Sequence, residues 1–129
     1  MRGSVHVACA IVALAVLVTT GVPDAQTVDG SIVMVRKNYP TPGREDELQM
    51  RWLKLVEFLR KAEPNAVFQL HRTTKEPVVF LWYEVFESQA ALDNHLKVVV
   101  PAFQKEIGPT PEEILARPSE AETYRNISK

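Results

Sequence analysis

Residues 80–95 read Phe-Leu-Trp-Tyr-Glu-Val-Phe-Glu-Ser-Gln-Ala-Ala-Leu-Asp-Asn-His, and they change character halfway along. Over 78–86, β-branched and aromatic side chains dominate, as a pleated strand requires, and Glu84 is the only charge among them. Ser88 then offers a hydroxyl to the free N–H groups of a starting helix. From there Leu92, Leu96, Val99 and Phe103 recur at spacings of three and four, which predicts one apolar helical face. His95 stands at the edge of that face. A strand bearing one acid thus leads into a helix bearing one inward-leaning imidazole.

Upstream, residues 31–38 predict a first strand, with Ile32 and Met34 on one face and Val33 and Val35 on the other. Pro40-Thr41-Pro42-Gly43 ends it in a loop. Glu45, Asp46 and Glu47 follow, where the positive end of a helix dipole favours acids. That helix is predicted to reach about Ala62, burying Leu48, Trp52, Leu55, Leu59 and Ala62, with Arg60 and Lys61 in its last turn and Pro64 closing it. Residues 66–74 predict a second strand, and Lys75-Glu76-Pro77 a short link into the third.

Downstream, Pro101 is expected to break or kink the second helix, because its ring removes a donor and crowds the preceding turn. Residues 111–115 suit one extra turn with Pro111 near its start. Residues 120–127 predict a polar edge strand. The order β-α-β-β-α-β defines an α+β, ferredoxin-like domain, with two helices on one face of a four-stranded antiparallel sheet. The first and third strands are apolar on both faces, yet two helices cover only one. A second copy of the chain is the simplest cover, so a homodimer is expected.

The 129 residues allow one ordinary domain. Residues 1–25 have the order of a secretory signal: Arg2, an apolar run over 7–18, then small residues up to Ala25. Cutting after Gly21, or retention as an anchor, is the alternative reading. Residues 26–30 are a flexible lead-in and 31–129 the folded domain. An exported protein follows, periplasmic or secreted, with no membrane attachment after cleavage. The single cysteine, Cys9, lies inside that leader, so the mature domain has no disulfide, thiol nucleophile or thiolate metal site. A formal charge of −1 without a basic stripe excludes nucleic acid as a natural partner. His71 alternates with Gln69 and Thr73 on the second strand, and no spacing joins it to His95 as a metal pair, so no metal is expected. Asn126-Ile127-Ser128 fits a glycosylation triplet of a kind that chance often produces.

Two stretches carry a family resemblance. Pro42-Gly43-Arg44-Glu45-Asp46-Glu47-Leu48, and then Glu84-Val85-Phe86-Glu87-Ser88-Gln89-Ala90-Ala91-Leu92 with His95, resemble the antibiotic-biosynthesis monooxygenase domain over most of the chain beyond the leader. The resemblance implies a dimeric α+β barrel and a cofactor-independent monooxygenase acting with O2 on a small aromatic, quinol-like molecule. Haem degradation, another activity of such proteins, is disfavoured because Phe86 stands where haem degraders carry tryptophan and Arg36 near where they carry asparagine on the first strand.

Oxygenation of this kind needs a base, a donor for an oxyanion and a dry pocket. His95 is the candidate base, Glu84 the second catalytic group that orients it, and Arg36 the holder of an anionic oxygen. Trp82 and Phe86 are the candidate walls of the substrate pocket. Strand parity puts Trp82, Glu84 and Phe86 on one face, and the resemblance turns that face towards the helices. Each residue also has an ordinary structural role: a hydrogen-bonded core histidine, a glutamate paired with Arg36, aromatic core. The alternative functions are a ligand-binding or stress-response module without turnover, and an isomerase of a small carbonyl compound that uses His95 as proton carrier.

Overall fold

The computed structural model describes residues 30–128. The predicted leader and nearly all of the lead-in lie outside them. The elements run β1 (Ile32–Asn38), α1 (Glu45–Ala62), β2 (Val67–Arg72), β3 (Phe80–Phe86), α2 (Gln89–Asn94), a π-helical turn (His95–Val99), α3 (Val100–Ile107), a 3-10 turn (Glu112–Ile114) and β4 (Glu120–Arg125). The sheet order is β2-β3-β1-β4, antiparallel throughout. This is the expected ferredoxin-like α+β arrangement. No helix among the described residues is long and apolar enough to cross a membrane.

Registry follows from side-chain alternation, since a one-residue slip would turn every apolar group to the wrong face. Glu84 of β3 lies opposite Met34 of β1 and Phe68 of β2, and Trp82 lies opposite Arg36 and Leu70. Ile32, Met34, Phe68, Phe80, Trp82 and Phe86 are buried against the helices, as parity requires. The other face of the central strands carries Val33, Val35, Leu81, Tyr83 and Val85, of which only Val85 is fully buried. The edge strand β4 is exposed along its whole length.

Helix α1 keeps acids in its first turn and Arg60 and Lys61 in its last, each sign opposing the dipole end it meets. Its buried stripe is Leu48, Trp52, Val56 and Leu59. Val56 therefore replaces Leu55 as the fully buried third member, Leu55 is half-buried, and Ala62 is exposed. The Arg60 guanidinium donates to the Phe68 carbonyl at 2.9 Å, tying the end of α1 to β2.

Beyond β3 the chain departs from a plain helix. Ser88 caps α2 as expected, accepting from the Ala91 N–H at 3.2 Å. The Val100 N–H then reaches back five residues to the His95 carbonyl, closing a π-type turn. Pro101 explains the widening: it offers no N–H to the turn before it, and its ring crowds that turn's carbonyl. The helix is thus loosened ahead of Pro101 rather than broken at it. The wider turn also changes which side chains face inward. His95 is only 2 % exposed, whereas Leu96, expected in the buried stripe, is 43 % exposed. Leu92, Val99 and Phe103 remain buried.

Candidate active site

Glu84 sits on the inner face of β3 between Trp82 and Phe86, and it is buried. Its Oε2 has no hydrogen-bond partner, an uncommon state for a buried carboxylate oxygen. The His95 imidazole approaches it, with Nε2 at 3.6 Å from Oε2. Arg36 lies near enough to act through its charge, but its guanidinium hydrogen bond goes to the Met34 sulfur at 3.8 Å. Glu84 and Arg36 do not form the ion pair that the structural reading of the sequence anticipated.

The other imidazole nitrogen is held by a residue that the sequence did not single out. His95 Nδ1 lies 2.7 Å from Oε2 of Glu63, the residue immediately after α1. A carboxylate only accepts, so in the neutral ring Nδ1 carries the proton and Nε2 presents its lone pair to Glu84. Phe68 stacks on the ring at 5.5 Å between centroids, and Phe86 packs against it at 4.9 Å. A signal for Glu63 was present: an acid at the C-terminal end of a helix opposes the dipole, which implies another partner for it.

Burial sets the protonation of the pair. Desolvation pushes the Glu84 carboxyl up to about 7, against the pull of Arg36 and with a smaller push from Glu63. Desolvation also lowers the His95 pKa, opposed by its hydrogen bond to Glu63. Both directions favour the same state, a neutral carboxyl facing a neutral imidazole, with one proton available between Oε2 and Nε2. Opposed shifts on adjacent groups make this pair a candidate for acid–base chemistry. The two carboxylates approach opposite nitrogens of one ring, so the three groups do not converge on a point where a metal would bind. No metal-binding cluster occurs among the described residues.

The expected substrate-pocket residues divide between two hollows. A cavity of about 130 Å³ beneath α1 and α3 is lined by Arg36, Arg51, Trp52, Trp82 and Phe103, among others. A more open pocket of about 380 Å³ lies at the far end of β3, where Phe86, Glu63, Pro64 and Asn94 contribute to its wall. Glu84 and His95 line neither. Phe68 and Phe86 pack on the imidazole instead, at 5.5 and 4.9 Å between centroids. The acid–base pair forms a partition: Trp82 and Arg36 lead to the small cavity, and Phe86 and Glu63 to the open pocket.

The fold is thus a ferredoxin-like α+β domain with a buried carboxyl and imidazole side by side beneath its helices. Residues 31–105 match the family described as antibiotic biosynthesis monooxygenase. The chain belongs to that family, and a general monooxygenase-like role goes with the membership. Solved structures share the fold. A Caulobacter crescentus protein provisionally described as an antibiotic biosynthesis monooxygenase is 24 % identical, with a TM-score of 0.64 over 78 % of this chain and 92 % of that one. A conserved protein from Methanosarcina mazei is 24 % identical, with a TM-score of 0.62 over 74 % and 92 % of the two chains. PA3566 from Pseudomonas aeruginosa is 16 % identical, with a TM-score of 0.63 over 78 % and 97 %. No curated protein matches the chain.

Proposed function

We propose that this protein is a cofactor-independent monooxygenase of a small aromatic, quinol-like substrate, working as a homodimer. The observation that supports it most is the unpartnered Oε2 of Glu84, buried and aimed at an imidazole whose far side is anchored by Glu63. A buried polar atom without a partner costs roughly 1–3 kcal/mol, so its retention calls for a use. Above its pKa of about 7 the carboxylate accepts a phenolic proton, and His95 Nε2 shares it. The imidazolium so formed is stabilised by Glu63, the arrangement that a buried carboxylate provides in hydrolase triads.

The deprotonated substrate is its own reductant. A quinolate passes one electron to O2, the resulting radical pair joins through a new C–O bond to a ring carbon, and the hydroperoxide loses that carbon's hydrogen as its O–O bond breaks. A dihydroxyarene and O2 thus give a hydroxyquinone and water, with one oxygen atom in each product. In this reading Arg36 holds the developing oxyanion and Trp82 faces the ring, roles supported by their lining the same cavity.

A second reading is favoured by one observation, that neither hollow is lined by Glu84 or His95. A module that binds a small ligand without turnover needs no access to that pair. Oxygen uptake with 1,4-dihydroxybenzene and with naphthalenediols, followed for the wild type and for His95→Asn, separates the two. The oxygenase reading expects uptake by the wild type and a loss of about 100-fold or more in the variant, the scale of general acid–base catalysis. Ligand-induced thermal stabilisation without uptake would replace it with the binding module, and solvent-proton exchange into a carbonyl substrate without uptake with isomerisation.

The homodimer rests on Val33, Val35, Leu81, Tyr83 and Val85, an apolar stripe on the sheet face that no helix among the described residues covers. Sedimentation of the mature protein at twice the chain mass is expected, reverting to one chain mass in Val35→Lys. A monomeric wild type would contradict it. Export, to the periplasm or the medium, belongs to the same proposal and rests on residues 1–25 alone.

A further inference from the structure

The 130 Å³ cavity has an unusual charge inventory. Two guanidinium groups line it, Arg36 from β1 and Arg51 from α1, and no carboxylate does. Among the described residues neither arginine lies within ion-pair distance of an acid. The Arg36 guanidinium spends a donor on a thioether, the Met34 sulfur. Arg51 donates from Nη2 to the Gly108 carbonyl, while its Nε is buried with no acceptor. Three aromatic rings share the wall with aliphatic and neutral polar side chains, Asn38, Gln104, Thr110 and Ser119 among them: Trp52 and Trp82 meet edge to face with centroids 6.0 Å apart, and Phe103 lies 5.9 Å from the Arg51 guanidinium.

Partly buried cations with spare donors are stabilised by a counter-ion; Arg36 has only the longer-range charge of Glu84, and Arg51 has no acid within ion-pair distance among the described residues. Size then narrows the ligand. A cavity of about 150 Å³ accepts one benzene ring, so the enclosed part of this space is on the scale of a single ring, and polar substituents on that ring reach its open side. Charge narrows it further, because a phenol is largely neutral at pH 7 whereas a carboxylate is ionised and matches the planar donor fork of arginine. We infer that the cavity between Arg36, Arg51, Trp52 and Trp82 binds a single-ring aromatic carboxylate. The inference rests on the oxygenase reading for its role as substrate: the ring to be oxygenated would be a dihydroxybenzoate-type anion. The backbone supports Arg51 directly, since Gly108, whose carbonyl it grips, ends α3 at φ +83°, a conformation that side-chain-bearing residues rarely adopt.

Titration calorimetry of the mature protein at pH 7.5 and low salt tests this with three probes: 2,5-dihydroxybenzoate, 1,4-dihydroxybenzene and cyclohexanecarboxylate. The dihydroxybenzoate is expected to bind at least tenfold more tightly than either the uncharged ring or the non-aromatic acid. Arg51→Met should erase that advantage while keeping the wild-type circular-dichroism spectrum, and Arg36→Met should erase it as well, which guards against a variant that fails to fold. Equal affinity for charged and uncharged rings, or a preference that survives both substitutions, overturns the inference. Oxygen uptake on the same samples keeps the two ideas apart. Preference for the anion without uptake by any probe leaves the anion site standing and removes the oxygenase reading, and uptake with 1,4-dihydroxybenzene without a preference does the reverse.

Discussion

Replacing Glu84 by glutamine is expected to stabilise the fold increasingly as pH rises, by about 3 kcal/mol more at pH 8 than at pH 4.5 relative to the wild type. The sign follows from the direction of the shift. The folded carboxyl titrates at about 7 and the unfolded one at 4.5, so between those values the native state binds more protons than the unfolded state. Wild-type stability from this group is therefore fully present below 4.5 and is lost as pH rises through 7. His95 acts oppositely: its lowered pKa gives stability that is present above its unfolded value of 6.5 and lost as pH falls through the folded one. In the wild type alone the two trends partly cancel. The difference between wild type and Glu84→Gln isolates the carboxyl, because glutamine keeps the shape and removes the titration. Arg36, Glu63 and His95 are the charged or titratable groups acting on it, and all remain in the variant. Urea denaturation at a series of pH values measures the difference, and a difference that does not vary with pH would show that Glu84 titrates as an ordinary surface acid.

Phe86→Ala is expected to cost about 3–5 kcal/mol, the usual range for removing a fully buried phenylalanine. The ring is 0 % exposed, packs on His95 at 4.9 Å and meets Phe68 edge to face at 5.9 Å. It also stands between the acid–base pair and the open 380 Å³ pocket. Its removal therefore has a second consequence, which is that water reaches the imidazole. Desolvation is the first cause of the raised Glu84 pKa, so hydration will bring that pKa down towards the ordinary carboxylate range. Phe86→Leu, which keeps the partition closed, is expected to cost less and to leave the titration in place. A loss below about 1 kcal/mol in Phe86→Ala would mean that the ring is not the packed wall described here.

The division between what could and could not be read from the sequence has physical causes. Strand β3 was legible because a period of two is rigid: once Trp82 faces inward, Glu84 and Phe86 must as well. The start of α2 was legible because a serine cap is a local interaction. The inward turn of His95 and the exposure of Leu96 were not both legible, since a 3.6-residue period cannot anticipate a π-type turn. Pro101 was the available clue, and its effect fell one turn earlier than expected. Glu63 escaped because its partner is 32 positions away and is set by how the end of α1 approaches the π-type turn. Arg51 escaped because a helical arginine is ordinarily solvated, although its place beside Leu48, Trp52 and Leu55 set it at the edge of the buried stripe. Likewise Ile114, which is 1 % exposed, lies in a turn too short to show periodicity.

The family places the chain among oxygenase-like proteins, and within the fold Glu84 and His95, with Glu63 behind them, form the partition between the two hollows. That partition is the central claim, and the pH dependence of kcat/KM for oxygen uptake with a quinol tests it most directly. The account predicts a rising limb centred near 7, where Glu84 loses its proton, and the absence of that limb in Glu84→Gln. A profile that keeps the same limb in Glu84→Gln would contradict it, because the proton would then be taken by some other group.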